Sequence, residues 1–357
     1  MPIPEMRDLT VARKVLRDWL ADQLPDATGV EISELTAPGG TGFSNETLLF
    51  DATWHEGDDK HERGLVVRVK PTGYQLFLEA DFDQQYRLLK LLDDSTEVPV
   101  PPMYWFENDA AVLGAPFFVM GKVDGKAPTD NPPYNAEGWV AEATPEQRET
   151  LWLSAMDGLA RVHDPSIAGV DFLAKPQRGA TGFDQQLKYW EESFTWAAEG
   201  RPQPVAEAAW GWMQSHLPAE RPTSLSWGDA RIGNMLFGDD FTCRAIVDWE
   251  MLSLGGPMYD LGWWRFLDRF HTEGSGLQRL PGLGSPDDTI TQYESLTGTK
   301  VRDLEFYEIY AGFRFAIVMM KLSQMFTAYD IEGMESMETN NPVTQVLARM
   351  LDVPPPA

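Results

Sequence analysis

Apolar residues recur along this chain with two different periods, and the change between them divides it. Near 8–23, Val11, Val15, Leu16, Trp19 and Leu20 fall at helical spacing, which predicts a first helix. Strand-like runs follow at 30–36 and 46–54, separated by Ala37-Pro38-Gly39-Gly40-Thr41-Gly42-Phe43-Ser44-Asn45. A third strand, Leu65-Val66-Val67-Arg68-Val69, ends before Pro71. Residues 76–92 read as a helix, with Leu88, Leu89, Leu91 and Leu92 on its later turns. A strand hairpin is expected at 103–107 and 112–120, turning at Asn108-Asp109. From about 124 the period becomes helical, at 146–164, 183–198, 203–216, 259–270, 287–297 and 302–329. Short strands at 224–227, 235–237 and 242–248 interrupt these helices, the last two joined by a turn at Gly238-Asp239-Asp240. The Gly/Pro-rich piece 274–286 reads as a loop, and the tail 353–357 as frayed. The pattern predicts an α+β chain. A small lobe, 1–120, carries five strands, a larger helical lobe spans 121–357, and the hinge falls at 120–124.

Composition narrows the field. At 357 residues, with 43% hydrophobic and 11% aromatic content, the chain can fill two packed lobes. A formal charge of −26 repels polyanions, so neither nucleic acid nor an anionic membrane is an expected partner. The same charge serves solubility, and it also attracts cationic substrates such as amines or aminosugars. No stretch approaches the ~18 apolar residues of a membrane span. The start, Met1-Pro2-Ile3-Pro4-Glu5, lacks the basic and apolar run of a secretory signal. The single cysteine, Cys243, excludes an intrachain disulfide and reads as a small strand-face residue. A cytoplasmic protein is expected.

The chemistry concentrates in Ser226-Trp227-Gly228-Asp229-Ala230-Arg231-Ile232-Gly233-Asn234 and Ile246-Val247-Asp248-Trp249-Glu250. An Asp stands five residues before an Asn, and a second Asp fourteen residues after it, at the end of an apolar strand. Phosphoryl transfer from a nucleotide needs a carboxylate facing the attacking hydroxyl, an amide oxygen on Mg²⁺ and a carboxylate on the metal. Asp229, Asn234 and Asp248 supply these in the order of a kinase catalytic segment. Upstream, Gly40 and Gly42 let backbone N–H groups approach phosphate oxygens, and Ser44 and Asn45 add side-chain donors. A strand follows that loop, which disfavours a dinucleotide fold.

This stretch resembles the catalytic segment of the aminoglycoside phosphotransferase and choline kinase-like family of small-molecule kinases. The resemblance covers roughly 30–330. It implies a bilobal protein-kinase-like fold whose small lobe is a five-stranded antiparallel sheet with one helix. It also implies Mg²⁺-dependent transfer of the γ-phosphate of ATP, or GTP, to a hydroxyl of a small molecule. On this reading Asp229 is the catalytic carboxylate, and Asn234 and Asp248 hold the metal. Arg68 takes the place of the strand cation on the α- and β-phosphates, in preference to Lys70. Phe117–Val123 resembles the segment joining the lobes, with Met120 and Lys122 at the nucleotide. The chain departs from the family at Trp227, where histidine is common, and at Gln85, where a glutamate usually pairs with the cation. Glu79 and Asp81 are the other carboxylates offered from that side. Glu250 faces the same site, and Arg231 pairs with Asp229, touches a phosphate or lies at the surface. Asp260 resembles an Asp that caps the following helix and braces the catalytic loop, and His163 a packed, hydrogen-bonded histidine. Trp190, Trp196, Trp210, Trp212, Trp263 and Trp264 divide between core and acceptor-stacking roles. Two alternatives stay open: a nucleotide-binding pseudokinase, and a kinase for a non-antibiotic metabolite such as a hydroxyacyl thioester, choline or an amino sugar. A protein kinase is disfavoured, because nine residues between Glu250 and Asp260 leave no long activation segment.

Overall fold

The computed structural model describes residues 7–37, 46–79, 81–329 and 335–356. Helix α1 (Leu9–Gln23) starts where the Asp8 carboxylate accepts from the amides of Thr10 and Val11. Its stripe of Ala12, Leu16, Trp19 and Leu20 is buried against one face of a sheet. That sheet comprises β1 (Ala27–Ile32), β2 (Glu46–Glu56), β3 (Asp59–Val69), β4 (Met103–Glu107) and β5 (Phe117–Gly121), all antiparallel, in the order β1-β2-β3-β5-β4. Leu48, Phe50, Leu65, Val67, Val69, Phe117 and Val119 form the face under α1.

Strand β1 lies at 27–32 rather than 30–36, and three other boundaries in this lobe differ from expectation by five residues or more. Strand β3 begins at Asp59 rather than Leu65, because residues 59–64 pair with β2 through the backbone in a hairpin closed at Gly57-Asp58. Their side chains are polar, so hydrophobic periodicity did not show them. Helix α2 (Phe82–Ser95) starts six residues later than expected. Residues 71–79 run instead as a strap to the helical lobe. Tyr74 bonds to Tyr329 and Gln324, Leu76 packs on Met325 and Phe326, and Glu79 pairs with Arg178 at 2.7 Å. At 108–113 there is no hairpin turn. Asp109 caps a helical turn, α3 (Ala110–Leu113), and β5 starts only at Phe117.

The helical lobe holds α4 (Trp139–Glu142), α5 (Pro145–Val162), α6 (Gly182–Ala198), α7 (Pro204–Ser215), α8 (Pro257–Arg269), α9 (Pro286–Thr297), α10 (Leu304–Ala328) and α11 (Pro342–Leu351). A two-stranded ribbon, β6 (Met235–Phe237) and β7 (Cys243–Ile246), is flanked by the candidate segments 226–234 and 247–250. Residues 224–227 form no strand. Ser224 and Ser226 make single bridges to Gly255 and Ser253. Helix α11 was hidden behind the tail, though Asn341-Pro342 and the capping box to Thr344 mark its start.

Two cores organise this half. One surrounds α10 with α6, α7, α8 and α11. The other joins Phe82, Leu88 and Leu89 of α2 and Phe118 of β5 to Leu159, Trp227, Ile246 and Trp249. Apolar packing therefore runs without a break from the small lobe into the helical one, through Trp227 of the loop 226–234.

Candidate active site

The loop 226–234 is fixed by buried partners before any side chain faces the cleft. Asp260, in the first turn of α8, is fully buried. Its two oxygens accept from the amides of Trp227 (2.6 Å) and Gly228 (2.7 Å). His163 Nε2 lies 2.9 Å from the same carboxylate and its Nδ1 2.8 Å from the Tyr293 hydroxyl. Asp260 thus braces the loop but does not cap α8, whose N-cap is Gly256. Gly228 sits at φ 98°, and a β-carbon there would run into the Met251 carbonyl, so only glycine fits. Trp227 is buried, and its indole N–H spans the carbonyls of Val247 and Asp248 at 3.0 and 3.1 Å. An indole here ties the two catalytic segments together.

Asp229 receives donors on both oxygens. Trp263 Nε1 donates to Oδ1 at 2.6 Å, Arg231 Nε lies 3.2 Å from the same oxygen, and Asn234 Nδ2 donates to Oδ2 at 2.7 Å. Arg231 continues to Asp130, whose other oxygen is 3.3 Å from His271 Nε2. Partial burial works to raise the Asp130 pKa, but the hydrogen bond from His271 and the charge of Arg231 hold it down to about 2. Burial works to lower the Arg231 pKa, but the charges of Asp229 and Asp130 raise it, so the guanidinium stays charged.

Beyond β7 the chain turns sharply, and Asp248 adopts φ 59°, a left-handed conformation that Asp tolerates better than most residues. Its Oδ1 is buried without a hydrogen-bond partner among the described residues, with Arg68 Nη2 at 3.7 Å. Burial raises the Asp248 pKa and the charge of Asp229 adds to this, while Arg68 and Arg231 oppose it. Arg68 Nη2 donates to Glu250 Oε1 at 2.9 Å. The partner of the strand cation therefore comes from the segment after β7. Gln85 is buried in α2, Glu79 is spent on Arg178, and Asp81 pairs with Lys175 at 3.0 Å.

Asn234 on Asp229 and Arg68 beside Asp248 thus form two pairs whose charges act on one another. Met120, in β5, pairs through the backbone with Val66 and Met103. The Lys122 amide donates to the Gly64 carbonyl at 2.9 Å, and its ammonium lies 3.2 Å from Asp51. Gly40, Gly42, Ser44 and Asn45 lie outside the described residues. Trp263, Asp130 and the pairing of Glu250 with Arg68 were not legible beforehand: Trp263 lies 34 residues, and Asp130 more than 90, from Asp229 in sequence.

The donor set suits Mg²⁺. Asn234 commits its amide nitrogen to Asp229, which turns its carbonyl oxygen away from that carboxylate, and Asp248 offers an unpartnered oxygen. Both are hard oxygen donors. Among the described residues no group of three or more His, Cys, Asp or Glu is arranged to hold a metal. A Mg²⁺ completed by phosphate oxygens and water needs no such group.

The sequence profile of the phosphotransferase enzyme family matches residues 39–285, more than half of the chain and all of this site. The protein belongs to the phosphotransferase enzyme family. Probable acyl-CoA dehydrogenase IBR3 of Arabidopsis thaliana is 27% identical over 297 residues, covering 78% of this chain but 35% of that protein. The chain spans about a third of the length of the curated relatives it matches. A putative aminoglycoside phosphotransferase from Ralstonia eutropha JMP134 superposes with a TM-score of 0.65 at 20% identity, over 95% of this chain and 98% of that one. The ADP-bound aminoglycoside phosphotransferase APH(2'')-Ib superposes with a TM-score of 0.53 at 14% identity, over 95% and 98%. The phosphotransferase thus has a bilobal, protein-kinase-like α+β fold, with the five-stranded sheet and helical lobe described above. Among its described residues no helix is long and apolar enough to cross a membrane.

Proposed function

We propose that this phosphotransferase moves the γ-phosphate of ATP, or GTP, to a hydroxyl of a small molecule in a Mg²⁺-dependent reaction in the cytoplasm. The convergence of Asp229, Asn234, Asp248 and Arg68 carries this reading. Residues 1–120 would form the nucleotide-binding lobe and 121–357 the catalytic and acceptor lobe. Asn234 and Asp248 would hold Mg²⁺, which neutralises charge on the phosphates when bound. Asp229 orients the acceptor hydroxyl and takes its proton as the new O–P bond forms and the bond to the departing diphosphate breaks. Its donors from Trp263, Asn234 and Arg231 fix the carboxylate, which supplies the positioning that a loose phosphoryl transition state rewards. Arg68, with Glu250 behind it, faces the phosphate oxygens, and the glycine loop, Met120 and Lys122 complete the nucleotide site. The ADP in a structural neighbour supports the nucleotide.

A non-antibiotic acceptor is favoured. Relatives that share this stretch carry acyl-CoA dehydrogenase names and extend well beyond it, so a hydroxyacyl thioester is the first acceptor to try. The test is nucleoside-diphosphate release with Mg²⁺ and ATP or GTP over a panel of hydroxyacyl thioesters, aminoglycosides, choline and amino sugars. Release that depends on one acceptor establishes the kinase. Tight Mg²⁺–nucleotide binding with no release under any acceptor identifies a pseudokinase instead.

A further inference from the structure

Arg314, in the middle of α10, is wholly buried yet has no carboxylate partner among the described residues. Rings meet its charge instead. The guanidinium lies 3.6 Å from the ring centroid of Tyr259, 4.4 Å from that of Trp263, 5.3 Å from that of Trp190 and 5.9 Å from that of Tyr310. The walls of this cage are locked to one another, since Trp190 Nε1 donates to the Tyr259 hydroxyl at 2.7 Å, and that hydroxyl donates to Gln186 at 3.1 Å. Cation–π attraction gains strength where water is excluded, which is how the cage holds a bare charge.

The caged cation reaches the loop once directly and once through a wall of its cage. Its Nη2 donates to the Gly228 carbonyl at 2.7 Å, in the peptide unit that leads into Asp229. Its neighbour Trp263 donates to the Asp229 carboxylate at 2.6 Å. Asp260 already holds the Gly228 amide, so glycine's two backbone groups are gripped from opposite sides. Packing alone does not call for arginine here. A methionine of similar volume would fill the cage without taking a charge out of water, and the Arg314 Nε has no acceptor among the described residues. What only a planar, multi-donor cation supplies is a ring-stacked group that also bonds a backbone carbonyl.

We propose that Arg314 is a positioning residue for Asp229: the caged guanidinium sets the Gly228 carbonyl and the Trp263 indole, and through them the orientation of the catalytic carboxylate. This rests on the kinase reading above. It also means that the aromatic box beside Asp229, a shape suited to ammonium and guanidinium ligands, is already filled from within. Emptying the box should make it a receptor for a free guanidinium.

The experiment compares wild type, Arg314→Ala and Arg314→Lys, using the acceptor selected by the panel. Arg314→Ala should lower kcat by about a hundredfold, the scale of a misplaced reacting group, with KM for Mg²⁺–nucleotide within about twofold. Millimolar methylguanidinium should restore about tenfold of that loss, and should restore nothing when Asp229 is also alanine. If Arg314→Ala does not fold, Arg314→Lys is the working variant, because lysine keeps the charge but cannot stack and reach Gly228 together. Independent of turnover, the indole N–H resonance of Trp263, assigned with Trp263→Phe, should move in either variant. Wild-type kcat in a folded variant overturns the proposal, as does an unmoved Trp263 resonance or a loss that falls on KM and ignores guanidinium. Absence of turnover in wild type overturns the kinase reading alone, and the Trp263 resonance then decides the role of Arg314.

Discussion

Asp229 sits in a loop where Trp263, Asn234 and Arg231 donate to it, whereas Asp248 sits in a left-handed turn that leaves one carboxylate oxygen with no donor among the described residues. The contrast separates two kinds of work. A carboxylate surrounded by N–H groups is held in one orientation and suited to aligning a hydroxyl. A carboxylate with a bare, buried oxygen beside Arg68 is suited to a cation that arrives with the nucleotide. Polar oxygens are rarely buried without a partner, and such exceptions gather where an ion or ligand completes the site.

Substitution of the two residues in parallel tests this contrast most severely. Asp229→Ala should reduce turnover by roughly 10³-fold, within the range for loss of a positioned proton acceptor, while Mg²⁺–nucleotide affinity measured by calorimetry stays within about twofold. Asp248→Ala should instead weaken Mg²⁺-dependent nucleotide binding by about 10–100-fold. Matching profiles for the two variants would erase the distinction. A smaller effect is expected at the strand cation. Arg68→Gln removes the guanidinium from the nearly buried Glu250 carboxylate, so it should raise KM for nucleotide and lower the melting temperature. The double variant with Glu250→Gln should recover most of the melting temperature and none of the KM, and recovery of both would remove Arg68 from the phosphates. The smallest test uses pH. Burial raises the Asp248 pKa, so an incoming cation must displace a proton from more of the molecules as the solution is acidified. Mg²⁺ affinity should therefore fall on acidification from neutrality, and Asp248→Asn should flatten that slope.

The same contrast explains what could be read in the sequence. That Asp229, Asn234 and Asp248 come together was legible because they lie on the segments flanking one short ribbon, so spacing in sequence stays close to spacing in space. The five strands and most helices were visible as periods of two and 3.6 residues. The partner of Arg68 was not, because Glu250 lies 182 residues away and nothing local prefers it to Glu79. The start of α2 was misread because apolar Leu76 and Phe77 serve the strap to α10 rather than a helix face. At Asn108-Asp109 a turn signature proved to be a helix cap. In each of these cases a distant element decided what a local pattern left open.

The apolar seam that runs from α2 and β5 to the ribbon and the loop 226–234, with the strap of residues 71–79 tied to the helical lobe, has a consequence for how the molecule comes apart. Each half has a core of its own but a third core is shared between them, so scanning calorimetry should record one melting peak rather than two. A polypeptide severed near 120 would leave both pieces with a raw, oily wound, and co-expression would mend what separate purification could not.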